Sequence, residues 1–338
     1  MRDIADHVGV SRQLVSLVLR ESPGPSADSR ARILAAADEL GYRPNASARL
    51  LRQRRTHLLG VMFDLRNPFE VRFVERLVAR AATEGFSVVL GAHTPDRTTD
   101  IVVSELIAQR VEALVAFNPD PGSPSLHDAL DRLPVVWLGE KAPTLRADNV
   151  RVDESTGLQL AVGHLVGLGH RKIAYLGGQG GLVGRDRAAA YFGAMVDAGL
   201  TDDAEVIECD FTEEGGAAAA RAIVVRESRP TAVISCGDVN AAGVLAIFAR
   251  SGIRVPEDIS VIGFDDSYVA SLSYHQLTSV RQDVDATVQA TMSTVLERLS
   301  DTPGAPGEVL TPTTLMTRAS TGPRTTSSVM RPRPVGPV

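Results

Sequence analysis

Gly41-Tyr42-Arg43-Pro44-Asn45-Ala46-Ser47-Ala48-Arg49-Leu50-Leu51 divides the chain into two unlike parts, and the fold reads outward from it. Gly41 supplies the left-handed residue that closes a helix arriving from the N-terminal side. Residues 45–55 continue with small side chains and four arginines, Arg49, Arg52, Arg54 and Arg55. That segment falls short of the about 12–15 residues at which an isolated helix becomes marginal in water. Its small residues permit close pairing with a symmetry-related copy, and its arginines suit phosphate.

Upstream, Ile4, Ala5 and Val8 share one face of a short helix that Gly9 ends. Ser11 caps a second helix by accepting from exposed backbone N–H groups. Leu14, Val15, Val18 and Leu19 give that helix a buried stripe, while Arg12, Gln13 and Ser16 point elsewhere. Residues 20–26 form a turn, and Ser26 caps a third helix with Ile33, Leu34, Ala37 and Leu40 inward. Three short helices, with a tight Gly9-Val10-Ser11 turn between the first two, describe a helix-turn-helix. A small helical bundle with solvated arginines is the plainer reading of the same residues.

Charge separates the two parts. The 338 residues hold 35 Lys and Arg against 41 Asp and Glu, a net −6 that alone argues against nucleic acid. Residues 1–57, however, carry ten Arg against six acids, or +4, leaving −10 for the remaining 281. A basic, nucleic-acid-facing module on an acidic body accounts for that asymmetry.

From Leu58 onward, short apolar runs alternate with amphipathic stretches. Strands are expected at 58–63, 87–90, 112–117 and 135–138, with helices at 74–82 and 101–109. A second round places strands at 172–176, 206–209, 232–235 and 259–262, and helices at 156–167, 187–198, 215–227 and 240–251. Two such arrays mean two parallel-sheet subdomains covered by helices on both faces. Ligands of these sheets bind beyond the carboxyl ends of the strands, here in the cleft between the halves. Asp64 follows the first strand, Arg187 starts a helix, Phe211 follows another strand, and Asp265 follows Ile262-Gly263-Phe264. Together they offer a hydroxyl-rich ligand charged acceptors, donors and an aromatic face.

Asp3-Ile4-Ala5, Gly9-Val10-Ser11, Val15-Ser16 and Gly41-Tyr42-Arg43-Pro44-Asn45, followed by Ala48 and Leu51, resemble the head of the LacI/GalR family of bacterial transcription regulators. In the body the matching landmarks are Asn67-Pro68-Phe69, Gln109-Arg110-Val111, Val152-Asp153, the run from Leu168 to Ile173, the run from Pro256 to Asp266, and the run from Leu277 to Asp283. The resemblance spans residues 2 to about 322. It implies a helix-turn-helix domain at 1–44, a hinge helix and linker at 45–57, and a periplasmic-binding-protein-like effector and dimerisation domain at 58–322. The halves would interleave, 58–151 with 281–308 and 152–280 with 309–322, ahead of a disordered Pro-rich tail at 323–338.

By position, the resemblance makes Arg12, Gln13 and Leu17 the base readers, with Ser11, Ser16 and Ser26 on phosphates. It likewise brings Asn45, Ala48 and Leu51 to the minor groove, Leu51 as the wedge that kinks DNA at an unstacked step. Arg187 and Asp265 would grip ligand hydroxyls, Phe211 would stack, and Asp64, Phe69 and Gln282 would complete the cleft. For Asp266, loop capping and hinge salt bridges are the better reading. Several positions depart from the family pattern. Leu14 stands where Thr is usual, and Leu17 where many members carry Arg or another polar residue. Leu17 can meet a thymine methyl or pack within the head. Gly237 and Gly139 stand where Asn and Asp are frequent.

Other signals exclude alternatives. Two cysteines, Cys209 and Cys236, cannot make a disulfide scaffold or a Cys-built zinc site. No apolar run approaches the about 18–20 residues of a membrane span, and residues 1–6 lack a signal peptide's apolar stretch. The setting expected is cytoplasmic. Gly177-Gly178-Gln179-Gly180-Gly181 fails the dinucleotide pattern because Val183 occupies the last slot, and it is expected as a loop at the cleft mouth. His164 and His170 lack helical metal-ligand spacing and suit helix-end packing. No metal, cofactor or catalytic constellation is legible. The expectation is a homodimeric repressor on a palindromic double-stranded operator, controlled by a sugar-like effector. The alternative is a cytoplasmic small-molecule-binding protein or enzyme with a vestigial head.

Overall fold

The computed structural model describes residues 1–19, 22–42, 55–140 and 147–324. Asn45, Ala48 and Leu51 lie outside the described residues, as do residues 325–338 of the tail. The chain forms two compact units, Met1–Thr56 and His57–Val338.

The first unit contains helices α1 (Arg2–Val8), α2 (Arg12–Leu19) and α3 (Ala27–Glu39). Gly9 closes α1 at φ 73°, and its N–H donates to the Ala5 carbonyl. Ser11 Oγ accepts from Leu14 N at 3.1 Å, and Ser26 Oγ accepts from Ser29 N at 3.2 Å. The core is Ile4, Ala5, Val15, Val18, Ile33, Ala36 and Ala37, with Leu14 and Leu19 packed at its edge. The stripe expected on α3 needs correcting. Leu34 and Leu40 are 47% and 45% exposed, and Ala36 is buried in their place. The inward face follows Ile33, Ala36 and Ala37, the i, i+3, i+4 positions of one narrow stripe.

The second unit holds two six-stranded sheets. The first contains β1 (Leu58–Asp64), β2 (Ser87–His93), β3 (Ala113–Phe117), β4 (Val135–Leu138), β5 (Asp148–Val152) and β11 (Glu308–Thr311), in the order β11-β5-β4-β3-β1-β2. The second contains β6 (Ile173–Gly178), β7 (Ala204–Cys209), β8 (Ala232–Ser235), β9 (Ser260–Asp265), β10 (Thr278–Gln282) and β12 (Thr313–Met316), in the order β12-β10-β9-β8-β6-β7. Every pairing within the two sheets is parallel except β10 with β12. Because side chains alternate along a strand, Leu59, Val61 and Phe63 of β1 face helices Pro68–Thr83 and Val284–Arg298. Met62 faces helices Thr99–Ala108 and Pro124–Arg132. Both faces of the sheet are therefore covered, and the second lobe repeats the arrangement.

The chain crosses between lobes three times, each later than expected, the first after Val152, which ends β5 in the first sheet. Strand β10 runs through Gln282 in the second sheet, so the crossing falls at Asp283 rather than before Arg281. Asp283 caps the next helix, its Oδ1 accepting from Ala286 N at 2.9 Å. Strand β11 pairs with β5 through Thr311, so the return falls at Pro312, which has no N–H to extend a ladder. The first lobe thus keeps 308–311. The glycine run also differs from a loop: Gly177 and Gly178 end β6, and Gly180, at φ 92°, opens helix Gly181–Asp197. Arg187 consequently lies well inside that helix rather than at its start.

Candidate functional site

The carboxyl ends of both sheets face one cleft of about 460 Å³. Asp64 ends β1, Asp265 ends β9 and Gln282 ends β10, while Phe211 and Gly237 follow β7 and β8. Asp64, Phe69, Arg187, Phe211, Asp265 and Gln282 all line this one cavity. In both lobes it opens where the sheet order reverses, between β1 and β3 and between β6 and β8, the usual ligand position in doubly wound sheets.

Arg187 is the organising side chain. It is 4% exposed and meets Glu154 in two parallel bonds, Nε to Oε2 at 2.6 Å and NH2 to Oε1 at 3.0 Å. NH1 donates to the Cys236 carbonyl at 2.5 Å and lies 3.9 Å from Asp265 Oδ1. The guanidinium stacks 3.8 Å over the Phe264 ring, with Phe211 5.6 Å away. Burial works against its charge, but Glu154 and Asp265 outweigh that and hold its pKa above the ordinary arginine value. These bonds commit three of its five donors.

Asp265 carries a positive φ of 106°, and Asp266 follows at φ 47°. Consecutive non-glycine residues in this region store strain, a common feature of ligand sites. Burial, with the nearby charge of Asp238, pushes Asp265 up to about 8 against the pull of Arg187 and of the Gln282 hydrogen bond. Gln282 Nε2 donates to Asp265 Oδ1 at 2.5 Å. Asp266 holds the loop: Arg281 Nε and Arg318 NH2 reach its carboxylate at 2.7 and 2.6 Å. Asp64 is largely occupied by Arg66, whose backbone N–H donates to Oδ1 at 2.8 Å and whose NH2 lies 3.2 Å from Oδ2.

Three carboxylates that line the cleft, Glu70, Glu154 and Glu213, escaped sequence reasoning. Glu154 opens the helix after β5, and only the fold brings it to Arg187. Glu70, 5% exposed, accepts from Asp64 N at 2.7 Å and from Asn67 Nδ2 at 3.0 Å. Burial pushes Glu70 up to about 8, the charge of Asp64 and then that of Asp265 adding to the shift against the pull of the Asp64 and Asn67 donors. A further contact joins the lobes, Glu140 Oε2 accepting from Leu182 N at 3.2 Å. His164 and His170 bind the C-terminal segment, His164 to Thr321 at 2.9 Å and His170 to the Gly322 carbonyl at 3.0 Å.

In the head, Ser11, Arg12, Gln13 and Ser26 are exposed, while Ser16 and Leu17 are half-buried. Leu17 is absent from the side chains packed on the head core, whereas Leu14 belongs to them.

The N-terminal 45 residues match "Bacterial regulatory proteins, lacI family", and residues 162–321 match "Periplasmic binding protein-like domain". The HTH-type transcriptional regulator MalR of Streptomyces coelicolor is 32% identical over 335 residues, 95% of this chain and 96% of that protein. The chain belongs to the lacI family of bacterial regulatory proteins. This lacI-family protein is a DNA-binding transcriptional regulator with a helix-turn-helix head and a two-lobed α/β body. Among solved structures, a lac repressor dimer bound to operator and the anti-inducer ONPF is 30% identical with a TM-score of 0.83, covering 95% of this chain and 98% of that one. A CelR–cellobiose complex is 27% identical with a TM-score of 0.70, covering 94% and 98%.

The family departures have a physical basis in this regulator. A Cβ at Gly139 would fall 2.1 Å from Asn118 Oδ1, and φ there is 88°. Asn118 fills that space and accepts from Glu140 N at 2.9 Å. A Cβ at Gly237 meets nothing closer than Asp265 Oδ2 at 3.4 Å, so that wall of the cleft is open. Among the described residues, no helix is long and apolar enough to cross a membrane.

Proposed function

We propose that this regulator is a homodimeric repressor that binds a palindromic operator and changes its operator affinity when a hydroxyl-rich small molecule occupies the cleft between its lobes. The observation that carries the ligand class is the convergence on one cavity of the Phe211 face, the Arg187 guanidinium and the acceptors Asp265 and Gln282. A polyol needs polar groups that fix its hydroxyls and an apolar face for its C–H side. Cellobiose in the CelR complex agrees with this class.

On DNA, Arg12 and Gln13 read base edges in the major groove, Arg suiting guanine and Gln adenine. Leu17 contributes apolar contact, and Ser11, Ser16 and Ser26 take phosphates. Asn45, Ala48 and Leu51 serve the minor groove, with Leu51 as the wedge. A two-fold dimer places its heads about 34 Å apart, one helical turn along the duplex. The relatives are transcription regulators, which weighs against an enzyme or binding protein with a vestigial head.

Fluorescence anisotropy of the full-length dimer on the palindrome nearest its own gene tests this reading. Binding in preference to scrambled DNA is expected at about 0.15 M salt, and no binding even at low salt would reject it.

A further inference from the structure

The glycine run Gly177–Gly181 fails the dinucleotide pattern, yet it shapes one wall of the cleft. Strands β6 and β7 pair in parallel up to Gly178 opposite Cys209, and Gln179 N donates to the Cys209 carbonyl at 3.2 Å. Two residues beyond that last pair on each chain stand Gly180 and Phe211, and both line the cavity. A Cβ on Gly180 would fall 2.7 Å from two atoms of the Phe211 ring, a separation that real Cβ atoms do not show. The ring therefore lies against the bare backbone of residue 180, whose φ of 92° also favours glycine.

Both sides of this contact are held from behind. Gly184 packs the first helical turn onto the run, a Cβ there falling 2.1 Å from the Gln179 carbonyl oxygen. Buried Asn240 donates to the carbonyls of Asp210 and Thr212 at 2.7 and 3.3 Å, gripping the backbone on both flanks of Phe211. Asn240 is fixed in turn by Ser235, whose Oγ donates to its Oδ1 at 2.6 Å. With the backbone of residue 211 held, the direction of its ring depends on the surface that the ring meets. We propose that Gly180 is a positioning residue for the effector: lacking a side chain, it seats the Phe211 ring in the orientation that stacks on the C–H face of a bound polyol. This rests on the reading of Phe211 as the stacking face and deepens it. A methyl group at residue 180 needs about 1 Å more room to reach ordinary carbon–carbon contact, and a binding site must be held within about 0.5 Å.

Calorimetry on the full-length protein with glucose, galactose, ribose, maltose and cellobiose tests this, the tightest binder of the parent protein serving as the probe. Gly180→Ala should weaken that sugar about ten-fold or more, and so should Phe211→Ala. The double variant should bind within about two-fold of Phe211→Ala alone, because an absent ring cannot be displaced. Gly181→Ala is the control for backbone strain. Its φ is also left-handed, at 80°, but its Cβ would meet only Glu140 Oε2 at an ordinary 3.5 Å, so affinity should stay within about two-fold. Gly180→Asn, which accepts a left-handed backbone, should show the same loss as Gly180→Ala and replaces it if that variant does not fold. Losses that multiply in the double variant, or an equal loss in Gly181→Ala, overturn the positioning role and leave the polyol reading standing. Failure of all five sugars to bind the parent protein overturns the polyol reading, and the positioning role with it.

Discussion

Arg187 and Glu154 form a two-bond ion pair at the wall of the cleft, at 2.6 and 3.0 Å, with side chains only 5% and 15% exposed. Glu154 begins the helix that follows the first crossing between lobes, so this pair fixes the donor of one wall against the hinge.

Breaking the pair from one side leaves an uncompensated buried charge. Arg187→Met should therefore cost about 3–5 kcal/mol of stability, read by denaturant unfolding with the single buried Trp137 as the probe. The double variant with Glu154→Gln should cost less than the sum of the singles, the coupling expected of contacting residues. Additive losses would show that the pair does not act as a unit.

Gly139 and Gly237 should respond oppositely to a side chain. Gly139→Asp must displace Asn118 and adopt a left-handed φ, and should lose about 1–3 kcal/mol. Gly237 sits at φ −167°, extended backbone open to any residue. Gly237→Asn should leave stability within about 0.5 kcal/mol and alter ligand affinity. Thermal melts and calorimetry separate the two outcomes, and equal destabilisation would contradict the cleft geometry.

Stability should fall as pH rises from about 4.5 toward 8. Glu70 keeps its proton in the folded protein up to about 8, while the unfolded chain releases it near the ordinary 4.5. The folded state then binds more protons through that window, so its advantage shrinks with pH, by at most about 1.4 kcal/mol per unit for one group. Asp265, also raised to about 8, adds to the slope. Glu70→Gln should flatten the curve across this window; parallel curves for variant and parent would contradict the burial of its carboxyl.

The cleft was legible because strand ends are local signals: Asp64, Phe211 and Asp265 each follow an apolar run, and the sheet topology does the rest. Glu154 and Glu70 were not, since each gains its role from a partner or wall set by tertiary contact alone. Polar β5 was missed for the same reason. Its buried Asp148 and Asn149 are acceptable in a strand because Arg298 pairs with Asp148 at 2.5 Å and Asn149 Nδ2 donates to the Trp137 carbonyl at 3.0 Å. The helix Val284–Arg298 hid behind its Thr and Val residues, yet Thr287 and Thr291 turn their hydroxyls back to the carbonyls of Asp283 and Thr287, each at 2.8 Å.

In the head, Arg12→Ala and Gln13→Ala should each remove about 1–3 kcal/mol of discrimination at one base pair while leaving affinity for non-cognate DNA nearly unchanged. Leu17→Ala should change preference at the base it faces. Competition binding against a set of single-site operator variants reads all three.

Occupancy of the cleft should change the hold of the head on the operator. The direct test is the operator dissociation constant of the full-length dimer, measured across a titration of the polyol found to bind the cleft. A saturable shift of about 5–150-fold is expected, equivalent to about 1–3 kcal/mol of coupling, and it should disappear in Arg187→Lys. An operator affinity that stays the same at saturating ligand would contradict it.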